Sequence, residues 1–264
     1  MKKILNIFVF MMLLIIFAST LIFVNYKFKN TPCKDLIVLI DYNKSSPLLT
    51  QNDVKSQIIG YMDSIVGCPL KQIDLTLISD LLKGNPYLKN FDILTTFNGE
   101  IKIRMTQRRP ILRVCNIFGN SYYISEDGVL LNVRPFFPVR VPIVNGDVFT
   151  PYNDNLQLDI SKQNDENSKV SSLVIYQLYK MGLYLDNDEW LKLFIDQVYV
   201  SNKNFILIPR IGNYSIIFGT IEKMNEKFDK LKAFIERGIN KVGWDKYKII
   251  NLLYDNQIVC TKIN

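Results

Sequence analysis

The sequence predicts an α+β protein in three parts: an N-terminal transmembrane helix, a small β-α-α-β-β domain, and a larger mixed β domain with a long amphipathic helix near its C-terminal end. Three observations carry this expectation. An apolar run long enough to span a bilayer opens the chain. A helical hydrophobic pattern breaks at Asn85-Pro86 and gives way to strand-like runs joined by Asn98-Gly99. A second β-rich stretch then begins after Arg108-Arg109-Pro110.

Composition narrows the function before any motif is read. The chain has 264 residues, room for one large domain or two small ones. Its formal charge is +7, but the lysines are dispersed and no run of five basic residues occurs, so the charge reads as a solvated surface and not as a nucleic-acid footprint. Cys33, Cys68, Cys115 and Cys260 show neither C-x-x-C nor metal spacing; they read as buried thiols, with a disulfide left open. There is no histidine. That removes Ser-His-Asp triads, Cys-His pairs and the common zinc sites, which depend on imidazole. No spacing singles out a carboxylate pair or a lysine nucleophile. Both stay possible, but an enzyme is disfavoured, and no catalytic, cofactor or metal residue is expected.

In chain order, Met1-Lys2-Lys3 forms a short charged tail, and Ile4 to Val24 is apolar apart from Asn6, Ser19 and Thr20. About twenty such residues cross the hydrocarbon core as a helix. The run exceeds a signal-peptide core and lacks a small-x-small cleavage site, so it reads as an anchor. Residues 25–34 read as a juxtamembrane linker, with Tyr26, Lys27, Phe28 and Lys29 as an interfacial collar. The tail is too short to carry function, so the bulk of the chain is expected outside the cytoplasm.

The first folded domain is expected over 35–108. Leu36 to Ile40 reads as a buried strand. Thr50 with Asp53 forms a capping-box start, and Val54, Ile58, Tyr61, Met62 and Ile65 recur at helical spacing. Gly67-Cys68-Pro69 stops that helix. A second helix runs from Asp74 to Lys83, with Leu75, Ile78, Leu81 and Leu82 as its face and Gly84 as its stop. Phe91 to Thr96 and Ile101 to Met105 form a hairpin across Asn98-Gly99.

The second domain is expected over 109–264. Ile111 to Phe118 and Tyr122 to Ser125 are strand-like around a Gly119-Asn120 turn, and Asp127-Gly128 reads as a hairpin turn. Arg134 to Pro142 reads as a proline-punctuated loop, and Asn153 to Lys169 as a polar, mobile segment. Ser172 to Leu183 is helical; Phe194 to Val200, Phe205 to Pro209 and Tyr214 to Phe218 are strands. Ile221 to Gly238 is an amphipathic helix with Met224, Phe228, Leu231, Phe234 and Ile235 on one face. Lys248 to Tyr254 and Gln257 to Lys262 close the chain as two strand segments, or as one strand bulged at Asp255-Asn256. Trp190 and Trp244 read as core or interface anchors.

The order strand, two helices, hairpin is that of a POTRA domain. With it come NPYLKNFDI, then QRRPILRV with YYISEDGVLL, VPIVNGD, and near the end IGNYSIIFGTIEKMNEKFDKLKAFI with GWDKYKIINLLYDNQIVCTK. Taken in order, these segments resemble the bacterial cell-division family FtsQ/DivIB, in its shorter Bacteroidetes-like form, over nearly the whole chain after the anchor. The resemblance implies a single-pass inner-membrane scaffold of the divisome, concentrated at the septum, with its bulk in the periplasm. Its partners would be FtsB/FtsL-like coiled-coil proteins, with further division proteins meeting the POTRA domain and the transmembrane helix. No nucleic acid and no small-molecule substrate are implied.

A C-terminal strand that follows a helix often forms a sheet edge, whose backbone groups accept a partner strand. Ile249, Leu252, Leu253, Ile258 and Val259 would supply apolar pockets beside that ladder. By position in the family's motif, Tyr254, Asn256 and Lys262 would contribute to the docking face, although Lys262 stands where some members carry tryptophan. Read from the residues alone, Tyr254 is a core-edge aromatic and Lys262 a solubilising edge charge. Arg108 and Arg109 either form a partner-binding rim on the POTRA side or pair with local carboxylates, and the second reading is favoured. Two other classes stay open. One is a POTRA-bearing envelope assembly or secretion component, disfavoured because only one such unit and no barrel pattern are present. The other is a membrane-anchored wall enzyme, disfavoured because no carboxylate constellation is visible.

Overall fold

The computed structural model describes residues 2–62, 65–135, 137–153, 158, 174–239 and 243–263. Helix α1, Lys2–Asn30, continues through the expected collar. No residue breaks it until Thr31-Pro32, where the residue before proline is driven out of helical geometry. An 18-residue window within Phe8–Asn30 has a mean hydropathy of 2.5 and no buried residue, as a bilayer-spanning helix requires.

The described residues then divide into two compact units: the first comprises residues 1–42 and 49–107, the second residues 43–48 and 108–264. Residues 43–48, which the sequence reading assigns to the first domain, thus group with the second.

In the first unit β1, Asp35–Asp41, leads to α2, Gln51–Tyr61, and α3, Leu75–Lys83, and then to β2, Leu88–Thr95, and β3, Glu100–Gln107. The sheet order is β1-β3-β2, with β1 parallel to β3. This is the expected β-α-α-β-β arrangement. Thr50 and Asp53 complete a full capping box, each side chain accepting from the other's backbone N–H. Asp74 lies just outside α3 and caps it instead of starting it, accepting from Thr76 and Leu77 N–H. Alternate residues of β1 and β3 (Leu36, Val38, Ile101, Ile103, Met105) meet Val54, Ile58, Ile78 and Leu82 of the helices in one core. Tyr61 departs from the expected face: it is 66% exposed at the end of α2. Gly99 at the hairpin has φ +86°, and a Cβ there would strike the Pro32 carbonyl oxygen, so only glycine fits this turn.

The second unit holds a mixed sheet ordered β12-β11-β10-β9-β8-β7-β4-β5-β6. Its strands in chain order are β4 Pro110–Cys115, β5 Ser121–Ser125, β6 Leu130–Asn132, β7 Ile143–Gly146, β8 Ile195–Ser201, β9 Asn204–Pro209, β10 Ser215–Gly219, β11 Tyr247–Asn251 and β12 Val259–Lys262. Helix α4, Val174–Asn187, with α5, Glu189–Phe194, connects β7 to its parallel neighbour β8. Helix α6, Met224–Phe234, connects β10 to its parallel neighbour β11. Parallel neighbours require such crossovers, which is why two helical connections interrupt the strands.

Two elements go unread in the sequence, and the limits of a third are corrected. Strand β7, within VPIVNGD, is too short to announce itself. Helix α5 is six residues on an Asp188 cap, below the length at which periodicity speaks. Helix α6 ends at Phe234 and continues as a π-helical turn over Ile235–Ile239, and Ile221 precedes it. Apart from Asn153 and Leu158, the expected mobile segment Asn153 to Lys169 lies outside the described residues, as does the Ser172 start of α4.

The core of this unit is built from α4 and α6 against the sheet. Phe228 of α6 stacks on Tyr184 of α4 at 4.9 Å and meets Phe218 of β10 at 4.7 Å. That contact seats α6 over the β10–β11 region and so determines what surrounds the end of the sheet.

Candidate functional site: the terminal sheet edge

Strand β11 joins the sheet through parallel pairing of Ser215, Ile216 and Ile217 with Ile249, Ile250 and Asn251. Leu252 N–H extends that ladder by donating to the Ile217 carbonyl at 2.9 Å. The chain then leaves the sheet, reverses through a turn with Asn256 at φ +57°, and returns as β12 antiparallel to β11. The two terminal segments are therefore an edge hairpin, which excludes the single bulged strand.

Among the described residues β12 has a strand neighbour on one side only. Ile263 N–H points inward, donating to Lys246 carbonyl at 3.1 Å. Alternation along an extended strand then turns the backbone groups of Cys260 and Lys262 toward the open edge. A partner strand would bond to these groups.

The expected docking residues separate by burial. Leu252 is 1% exposed and belongs to the core, so it supports the site from beneath and cannot line it. Ile249 and Ile258 are half-buried, and Ile258 packs on the core. Leu253, Val259 and Tyr254 are 52%, 42% and 48% exposed, and Asn256 and Lys262 are exposed. Tyr254 and Asn256 sit in the 252–258 turn, not on a strand. The exposed set is thus Leu253, Tyr254 and Asn256 in the turn, with Val259 and Lys262 on opposite faces of the edge strand.

Three lysines of the α6 region, which the sequence reading left on a solvated face, line one side of it, and two of them, Lys223 and Lys230, hold this turn. Lys223, Lys227 and Lys230 recur at i, i+4 and i+7 and therefore share one side, and that spacing was the available signal. Lys230 Nζ donates to the Tyr254 carbonyl at 2.7 Å and to that of Leu252 at 3.3 Å. Lys223 pairs with Asp255 at 2.9 Å, which raises the lysine's pKa and lowers the carboxyl's. Lys227 donates to the Thr220 carbonyl and lies 5.0 Å from the Phe218 ring centre; burial pulls its pKa down. A recess lined by Thr220, Lys223, Lys227, Lys230, Leu253 and Asp255 results.

Arg108 and Arg109 are not a free rim. Arg108 Nε bonds Asp127 at 2.8 Å. Arg109 bridges Glu126 at 2.9 Å and Asp186 at 2.6 Å, and Lys192 reaches Asp186 at 2.7 Å. Burial by itself would raise the Asp186 pKa, but the bonds and charges of Arg109 and Lys192 outweigh it and hold the carboxyl below its ordinary range. Both arginines belong to the second unit and lock its first strand to local carboxylates.

Among the described residues no group of three or more Cys, Asp or Glu side chains is arranged to hold a metal ion. The arrangement offers backbone pairing, exposed apolar side chains and fixed positive charge, which suit binding a polypeptide.

Two known families match the chain. The family described as FtsQ/DivIB, C-terminal related, matches residues 109–261, and the family described as POTRA-like domain matches residues 31–106. No curated protein matches it.

Proposed function

Because the chain belongs to the FtsQ/DivIB family, we propose that it is a non-catalytic, single-pass scaffold of the bacterial divisome that binds FtsB/FtsL-like proteins at its terminal sheet edge. Its N-terminus lies in the cytoplasm, its two folded units lie in the periplasm, and it concentrates at the septum. Domain limits of 35–108 and 109–264 go with this reading, apart from residues 43–48 and Arg108, which group with the second unit. The observation that carries it is the edge of β12, open among the described residues, near the exposed side chains of Leu253, Tyr254 and Val259. An added strand gains affinity from main-chain hydrogen bonds, and apolar pockets beside the ladder give specificity.

The test is binding of the full chain, held in lipid nanodiscs, to the extracytoplasmic segment of an FtsB/FtsL-like partner. Lys262→Pro removes an edge donor without touching the internal ladder, a substitution that sheet edges tolerate. Binding lost in Lys262→Pro, retained in Lys262→Ala and weakened in Tyr254→Ala supports strand addition at β12. Equal binding by all three variants moves the interface elsewhere on the protein.

A further inference from the structure

The four cysteines divide by geometry. Cys115 lies on β4 and Cys260 on β12, with β7, β8, β9, β10 and β11 between those two strands. At about 4.8 Å per strand they are roughly 29 Å apart, far beyond the reach of a disulfide, whose Cα atoms lie within about 7 Å.

Cys33 and Cys68 are placed differently. Both belong to the first unit, and each lies next to a proline of the antiparallel bridge Pro32↔Pro69. The ladder around that bridge is formed by Leu70 N–H to Thr31 carbonyl at 3.0 Å and Cys33 N–H to Cys68 carbonyl at 2.8 Å. Cys33 carbonyl in turn accepts from Gly67 N–H at 2.7 Å, and Gly67 has φ +91°. This is a bulge in which Gly67 and Cys68 together face Cys33, with glycine at the left-handed position. Facing residues of an antiparallel pair have Cα atoms about 4.5–5.5 Å apart, inside the disulfide range, and side chains on the same side. Burial pushes up the Cys33 thiol, and the neighbouring Asp35 carboxylate and Cys68 thiol add to this more weakly.

We propose that Cys33 and Cys68 are a redox-active pair that closes to a disulfide, tying the chain just after the membrane helix to the connection between α2 and α3. Cys68 is half-buried while Cys33 is 1% exposed, so Cys68 reacts first. In exchange with a disulfide donor, the Cys68 thiolate attacks one donor sulfur, forming a mixed disulfide and expelling a donor thiolate. The Cys33 thiolate then attacks Cys68 Sγ and expels the second donor thiolate. The protons given up by the two cysteines end on the two donor thiols: the cysteines are oxidised and the donor is reduced. The loop closed in this way contains β1 and α2, so oxidation constrains the unfolded first unit and raises its stability. The pairing is independent of which partners bind the terminal sheet edge.

The test uses the full chain in detergent micelles, incubated with oxidised glutathione, then denatured, alkylated and digested with trypsin. The expected result is a linked pair of peptides, residues 30–34 and 56–71, with Cys115 and Cys260 alkylated. The oxidised protein should melt higher by on the order of 10 °C in its first-unit transition, and dithiothreitol should reverse the shift. In Cys68→Ser the buried Cys33 should stay a free thiol under the same oxidant. Because the peptide map is made on the unmodified chain, it stands even where a Cys33 variant fails to fold. Four alkylated thiols, a lasting glutathione adduct on Cys68, or a bridge that involves Cys115 or Cys260 would each overturn the proposal.

Discussion

Lys230 Nζ stands 2.7 Å from the carbonyl oxygen of Tyr254, so α6 directly holds the turn that precedes the edge strand. The same amine reaches the Leu252 carbonyl, and one lysine therefore fixes both ends of the three-residue step out of β11. Replacing it with methionine keeps the stem packing but removes the charged donor. Lys230→Met should lower stability by only about 1 kcal/mol. Amide exchange in residues 253–258 should accelerate well beyond that of the rest of the second unit, as measured by hydrogen–deuterium exchange. Unchanged exchange there would mean that the turn holds itself.

Phe228 is fully buried between Tyr184 and Phe218, and it carries the seating of α6 on the sheet. Truncation leaves a cavity between helix and sheet as well as losing apolar burial. Phe228→Ala should cost about 3–5 kcal/mol, read as a lower urea midpoint for the second unit. A loss under about 1 kcal/mol would show that α6 is not anchored through this ring.

The Asp186 carboxyl is held below its ordinary pKa of 3.8 by Arg109 and Lys192. A group whose folded pKa is depressed contributes stability above the unfolded value and loses it as pH falls through the folded one. Stability of the second unit should therefore decline as pH drops below about 5 and keep falling past 3.8. Asp188, lowered by its bond to Lys232, acts in the same direction. Asp186→Asn should reduce stability at pH 7 by about 1–3 kcal/mol and flatten the acid slope, measured by urea titration at several pH values. A slope as steep as that of the unmodified chain would assign acid sensitivity to other carboxylates.

Gly99→Ala tests the first unit's hairpin. The left-handed backbone and the Pro32 carbonyl both exclude a Cβ. The expected cost is about 1–3 kcal/mol in the first-unit transition of a thermal melt, with the second unit unmoved. A neutral substitution would require the juxtamembrane segment to be free of the hairpin.

The elements of this chain were legible where one residue type speaks through local physics. An uninterrupted apolar run needs lipid around it, and Asn98-Gly99 tolerates a turn that other residues resist. Thr50 with Asp53 can satisfy helix N–H groups wherever the chain places them, and Val54, Ile58, Ile78 and Leu82 mark a face that must be buried. The family's ordered segments were readable for the same reason. Pairing was not legible. Hydrophobic periodicity reports which side of a strand is covered, but every strand offers the same backbone donors and acceptors, so nothing in the letters says that β4 lies beside β7 or β10 beside β11. Only the folded chain makes β12 the edge, buries Leu252 while exposing Leu253, turns Lys223 and Lys230 from solvated charges into clamps on a loop, and sets Cys33 across from Cys68. Each of these follows from long-range packing, chiefly Phe228 in its aromatic slot and Gly67 in its bulge, where contacts between distant residues decide what local preference leaves open.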